Sequence, residues 1–195
     1  MTPHRDERAE KRAPMAAAPM QYHEDGSVAW GEMWDSFCAL ALDGGPPHRG
    51  TLLVADQGAD TESEGYRLAA AEIARGIRAV SGLDTTPAGS GWLAVACHSA
   101  AMARWLAEAI VEENVAARAD GATLFVPCGE RYMLTGEIKN VITAVAKTTD
   151  YWCAHLPPTV KHALEWQARI DALAARVGGW LGRRPTDRGA VRADA

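Results

Sequence analysis

Apolar residues along this chain recur either at helical spacing or in short continuous runs, and the two patterns alternate. Helical spacing predicts amphipathic helices, whereas short apolar runs between polar turns predict buried strands. The predicted order is therefore helix, strand, helix, strand, helix, hairpin, helix and helix. The predicted elements are helix 30–42, strand 51–55, a helix from Asp60 or Thr61 to Gly82, strand 92–96, helix 99–113, a hairpin turning at Asp120-Gly121, helix 134–155 and helix 159–180. Residues 85–91 are predicted to form a loop.

This alternation predicts an α/β protein with a small mixed sheet, because helices that connect successive strands imply partly parallel pairing. The Asp-Gly hairpin adds an antiparallel edge. The class becomes α+β if the first strands do not pair. A chain of 195 residues fits a single domain, which we place at residues 20–181. We expect a disordered leader at residues 1–19 and a disordered tail at 182–195, with Met20 as an alternative start.

Charge and composition narrow the class of function. The formal net charge is −5, and an acidic protein lacks the basic face that nucleic-acid binding requires. No apolar run has the length of a membrane span, and the charged N-terminus lacks the apolar core of a secretory signal. The four cysteines are then expected to be reduced thiols of a cytoplasmic protein.

The strongest candidate for chemistry is the point where predicted strand 92–96 turns directly into helix 99–113, at Cys97 and His98. Unpaired N–H groups and the positive end of the helix dipole favour a thiolate or a bound anion there. We therefore predict a lowered pKa for Cys97 as nucleophile or acid/base group, proton transfer by His98, and Ser99 as helix N-cap. In the alternative interpretation, Cys97 is a small buried apolar residue and His98 belongs to a loop.

The stretch Val95-Ala96-Cys97-His98-Ser99 locally resembles the strand-to-helix elbow of the DJ-1/PfpI family, where histidine follows a reactive cysteine. Ser99 stands where that family has glycine, and the similarity is limited to this stretch. The resemblance implies only that a cysteine in such a turn is able to react. We recognise no family across the whole chain.

Two further stretches supply candidate binding groups. The glycine- and proline-rich loop 44–50 presents His48, which can transfer protons, and Arg49, which suits a carboxylate or phosphate. Alternatively, loop 44–50 is only a rigid connector between the predicted helix and strand on either side of it. The second stretch is one face of helix 134–155, which we predict to line a pocket. The members of this polar face are Glu137, Asn140, Ala144, Lys147, Thr148, Tyr151 and His155.

Alternatively, the same polar face forms an oligomer contact, packs against other parts of the same chain, or is plain surface. On the remaining side of helix 134–155, Lys139, Thr143 and Asp150 are expected to face solvent.

These features predict a small-molecule enzyme that acts on a polar, anionic substrate. Cys97 would carry the chemistry with His98 or His48, while Glu137 and Tyr151 position the substrate. Its charge would be bound by Arg49 and Lys147, with Ser99 and Asn140 as further contacts. Lyase, isomerase, hydrolase and thiol-transfer reactions all fit this set of residues.

The competing hypothesis is a non-catalytic oligomeric subunit that binds a ligand or assists a partner enzyme, with helices 134–155 and 159–180 as its interfaces. No cofactor is required by the sequence, and a metal site built from Cys97, His98 or His48 is a minor alternative. We expect a homo-oligomer under either hypothesis.

Overall fold

The computed structural model describes residues 20–33, 51–89 and 91–181, the last five of them by backbone alone. Residues 30–33 are helical, and the rest of predicted helix 30–42 lies outside the described residues, as do loop 44–50 with His48 and Arg49, the leader 1–19 and the tail 182–195. The main elements follow in the order α1 (Glu64–Ser81), β1 (Thr85–Pro87), β2 (Trp92–Ala96), α2 (Ala100–Glu112), β3 (Arg118–Asp120), β4 (Thr123–Pro127), α3 (Lys139–Asp150) and α4 (Pro158–Leu181).

Four strands form an antiparallel sheet in the order β1-β2-β4-β3. The alternation of side chains in β2 and β4 sends Leu93, Val95, Leu124 and Val126 into the core, where each is at most 1% exposed. Helix α2 packs against β3 and β4, and α1 packs against β1. Together with the helices this sheet makes a mixed α/β single domain, so the predicted fold class is confirmed.

The pairing of the strands differs from the prediction in two places. Predicted strand 51–55 contributes only an isolated parallel bridge between Leu53 and Val115, while the four-stranded sheet itself has no parallel pair. Predicted loop 85–91 contains strand β1, which pairs with β2 through Thr86 and Ala94. A three-residue strand with a threonine pair and a proline is too short to show a periodic pattern, and this is why the sequence did not reveal it.

The predicted hairpin is present, but its turn lies one residue later than expected. Asp120 pairs with Thr123, so Gly121 and Ala122 form the two-residue turn. Gly121 has φ +53, and a glycine with positive φ at the first turn position matches the type II′ turn that suits hairpins.

Helix α3 forms the centre of the helical layer and packs against both α1 and α2. The chain enters it through a wide helical turn, Leu134–Ile138, and leaves it through a second, Tyr151–His155. The predicted bounds 134 and 155 are thus confirmed, but the helix is kinked at Gly136, whose φ −115 and ψ −106 are not helical. The prediction that Lys139 and Thr143 face solvent is wrong, because each is only 3% exposed. Other elements pack around α3 and cover even those positions that polar residues occupy.

Within the described residues, no helix is both long and apolar enough to cross a membrane.

Candidate functional site

The Cys97 turn has the predicted backbone geometry. Strand β2 ends at Ala96, and α2 begins at Ala100 with Ser99 as N-cap, whose Oγ accepts a hydrogen bond from the Met102 N–H at 3.1 Å. The Cys97 N–H donates to the Ala122 carbonyl at 2.9 Å, which ties the turn to the β3–β4 hairpin. The structure thus confirms the strand, the cap and the helix start.

The electrostatics at Cys97 differ from the prediction. The side chain is half-buried and packs against the hydrophobic core. Burial raises the pKa of the Cys97 thiol to about 11, despite a hydrogen bond with the backbone of Leu124 that acts in the opposite direction. The predicted lowering of this pKa is therefore wrong, and the thiol is protonated near neutral pH.

His98 has a different surrounding from Cys97. Its side chain is exposed and lines a groove of about 400 Å³ between the start of α2 and α4, together with Ser99, Glu165 and Arg169. Cys97 is absent from the lining of this groove and of three further surface cavities on the described chain. The side chains of Cys97 and His98 therefore do not face the same groove.

The members of the predicted polar face of α3 lie in different surroundings along the helix. Glu137 and Tyr151 are fourteen positions apart, which corresponds to about 21 Å along a helix at ~1.5 Å per residue. The Glu137 carboxylate caps the entry turn by accepting a hydrogen bond from the Met133 N–H at 2.9 Å. Asn140 is half-buried, and its Oδ1 atom has no hydrogen-bond partner among the described residues.

At the other end of this face, Lys147 and Tyr151 both contact residues of α2 or of its C-cap. Lys147 forms an ion pair with Glu113 at the end of α2. Tyr151 is 53% exposed and stacks on Trp105, with ring centroids 6.1 Å apart and planes inclined by 12°. These contacts fasten α3 to α2, and they leave Lys147 with its charge already compensated.

The described residues contain no group of three or more His, Cys, Asp or Glu side chains arranged to hold a metal ion.

Helix α4 carries the most exposed apolar surface of the described chain. One side of the helix contacts α2 through half-buried Leu164 and buried Ala168, supported by the Arg104–Asp171 ion pair at 2.5 Å. On another side Trp166, Ile170 and Leu173 are 64%, 54% and 60% exposed. Soluble monomers rarely expose a contiguous apolar stripe of this kind without a use for it.

The residues of this stripe are spaced like a coiled-coil seam. Intervals of three and four residues separate Ala163, Trp166, Ile170 and Leu173, and the sequence continues the alternation at Val177 and Trp180. We refer to Ala163, Trp166, Ile170 and Leu173 as the α4 stripe. The competing hypothesis predicts helix 159–180 as an interface but does not single out the stripe, although its spacing is visible in the sequence.

Comparison with known proteins gives no relative from which a function follows: no family model matches the chain, and neither a curated protein nor a solved structure is similar to it.

Proposed function

We propose that this protein is a non-catalytic accessory subunit that assembles with a second copy of itself through the α4 stripe. The exposure of Trp166, Ile170 and Leu173 at coiled-coil spacing is the observation that carries the proposal. Burying such side chains contributes roughly 1.5–3 kcal/mol each when they pass fully from water into an apolar contact. Three or more from each copy therefore supply a substantial driving force for assembly.

The spacing of the stripe favours a second α4 helix as its partner. A stripe with alternating intervals of three and four residues is one helix wide, and it fits the holes between residues of a helix with the same spacing. Helix α3 is not available as a partner, because it is buried between α1 and α2. Closed two-fold dimers are also the commonest assemblies of identical subunits.

The surroundings of the predicted catalytic groups give weaker support to catalysis. Cys97 is protonated near neutral pH and lines none of the four cavities. Lys147 is paired with Glu113, and Glu137 caps a helical turn. The enzymatic hypothesis stays a prediction, whereas the accessory role uses surface that is exposed in the structure.

The mass of the full chain in solution tests the assembly. Sedimentation equilibrium should give twice the chain mass of 20.9 kDa for the wild type. Ile170→Glu should give a monomer, because a dimer would place two carboxylates in the apolar seam without partners.

The matched control is Leu68→Glu, which changes a residue of α1 with the same exposed fraction as Trp166, 64%. This variant should remain a dimer, and circular dichroism should show native helix content in both variants. A wild-type mass of a single chain, or a folded Ile170→Glu variant that is still dimeric, contradicts the proposal.

A further inference from the structure

Strand β1 forms one edge of the sheet, and among the residues that the structure describes no strand pairs with its outer side. Hydrogen bonds flank the paired residues of β1 and β2, from the Ala96 N–H to the Asp84 carbonyl at 2.9 Å and from the Ala88 N–H to the Trp92 carbonyl at 3.0 Å. In an antiparallel ladder bonded positions alternate with non-bonded ones. Residues 85 and 87 are thus non-bonded positions whose backbone groups point away from the sheet.

An apolar trough runs between this edge and helix α1. Its volume is about 440 Å³, and most of the surface that lines it is apolar. Small residues of α1 form one wall, with Ala70, Ala71 and Ala74, while Pro87 and Leu93 contribute from the sheet. The trough therefore has room for small or medium apolar side chains beside a strand edge.

Two polar groups at the trough lack a partner among the described residues. The Thr85 hydroxyl oxygen is buried and has no hydrogen bond. Arg67, on the α1 side, is exposed and forms no ion pair within the described chain. A buried hydroxyl without a partner is unfavourable, but it has almost no accessible surface. Of the two groups, the exposed Arg67 is therefore the one that a ligand in the trough can contact.

We propose that this edge binds an extended peptide segment of a partner protein, which adds a fifth strand beside β1. The peptide backbone would pair with the outward N–H and carbonyl of Thr85 and donate to the Pro87 carbonyl. Alternate side chains, small and apolar, would enter the trough. A carboxylate of the peptide would meet Arg67. This inference goes beyond the assembly through α4 and does not depend on it.

A second copy of β1 fits the same edge less well than a peptide does. Pro87 has no N–H, and the Leu83 N–H already donates to the Ser81 hydroxyl at 3.3 Å. If two β1 strands paired symmetrically, the only backbone hydrogen bonds between them would thus be those that join the two Thr85 residues. An unrelated peptide can also offer an N–H to the Pro87 carbonyl.

A phage-displayed library of random octapeptides, selected on the full-length protein, tests this inference. Synthetic peptides from the selection are then measured by fluorescence anisotropy. Ala71→Leu fills the trough from an exposed position of α1, and Thr85→Pro removes the outward N–H without breaking a ladder bond. Each variant should weaken peptide binding by about tenfold or more.

Ala79→Leu is the matched control, because Ala79 is also an exposed alanine of α1 but does not line the trough. It should bind the peptides as the wild type does. The inference is wrong if selection enriches no peptide, if Ala71→Leu binds as tightly as the wild type, or if Thr85→Pro dissolves a dimer of the free protein. Ala71→Leu decides the matter even if Thr85→Pro fails to fold.

Discussion

At the scale of single residues, two opposing effects act on the proton of the Cys97 thiol. The start of α2 favours the thiolate by about 0.3–1 kcal/mol, which is less than one pKa unit at ~1.36 kcal/mol per unit. Burial against the core acts in the other direction and dominates, since the pKa of Cys97 is raised to about 11. The position of a cysteine at a helix start therefore does not make it reactive when its sulfur is also desolvated.

Alkylation of the cysteines tests this balance. With iodoacetamide near pH 7.5, the exposed Cys153 should react before Cys97 and Cys128, whose pKa values burial raises to about 11. Peptide mass spectrometry at a series of reaction times gives the order of modification. If Cys97 reacted faster than Cys153, the enzymatic hypothesis would regain its support.

At the level of secondary-structure elements, Gly76 lies where α1 packs against Ile142 of α3. A Cβ atom added there would lie 2.3 Å from Cδ1 of Ile142, a side chain only 1% exposed. The glycine thus serves helix packing in the middle of α1, where it costs roughly 0.8–1 kcal/mol of intrinsic helix propensity relative to alanine. Core atoms are close-packed, so the gap cannot accommodate a methyl group without movement of Ile142.

A double-mutant cycle tests this contact. Gly76→Ala should lower the free energy of unfolding by about 1–3 kcal/mol, because overpacking outweighs the gain in propensity. Ile142→Ala alone should also destabilise, since it leaves a cavity. The double variant should lose less than the sum of the two single losses, measured by urea titration. Additive losses would show that the two helices do not meet at this point.

At the scale of the whole molecule, several buried groups ionise only at alkaline pH. Burial raises the pKa of the Cys97 and Cys128 thiols to about 11 and of the Tyr66 phenol to about 12. In the unfolded chain thiols ionise near ~8.5 and phenols near ~10. Lys139 acts in the opposite sense, because burial lowers the pKa of its ammonium group.

The free energy of unfolding should therefore fall as the pH rises from about 8.5 to 11. In that interval the unfolded state releases protons that the folded state retains, and stability then decreases with pH. Three groups, two thiols and a phenol, lower the stability as the pH rises, whereas only the amine of Lys139 raises it. Urea titrations at pH 7.5 and pH 10.5 measure the change, and a Cys97→Ala/Cys128→Ala variant should show a smaller one. A stability that rises over this range would contradict the burial of these groups.

Local patterns of residues were sufficient to predict the elements that have a long or an alternating periodicity. Strand β2, its turn into α2 at Ser99, the two long helices and the hairpin all follow from side-chain periodicity, capping and turn residues, which act locally. The spacing of the α4 stripe also belongs to this local information.

How these elements combine depends on contacts between segments that are distant in the sequence. These contacts made β1 a strand by pairing it with β2, placed Lys139 and Thr143 in the interior, and raised the pKa of Cys97. Each outcome depends on which distant segments cover a residue and exclude water from it. Periodicity describes the faces of one element, whereas burial is a property of its neighbours. For the same reason the trough between β1 and α1 becomes visible only once the sheet is assembled.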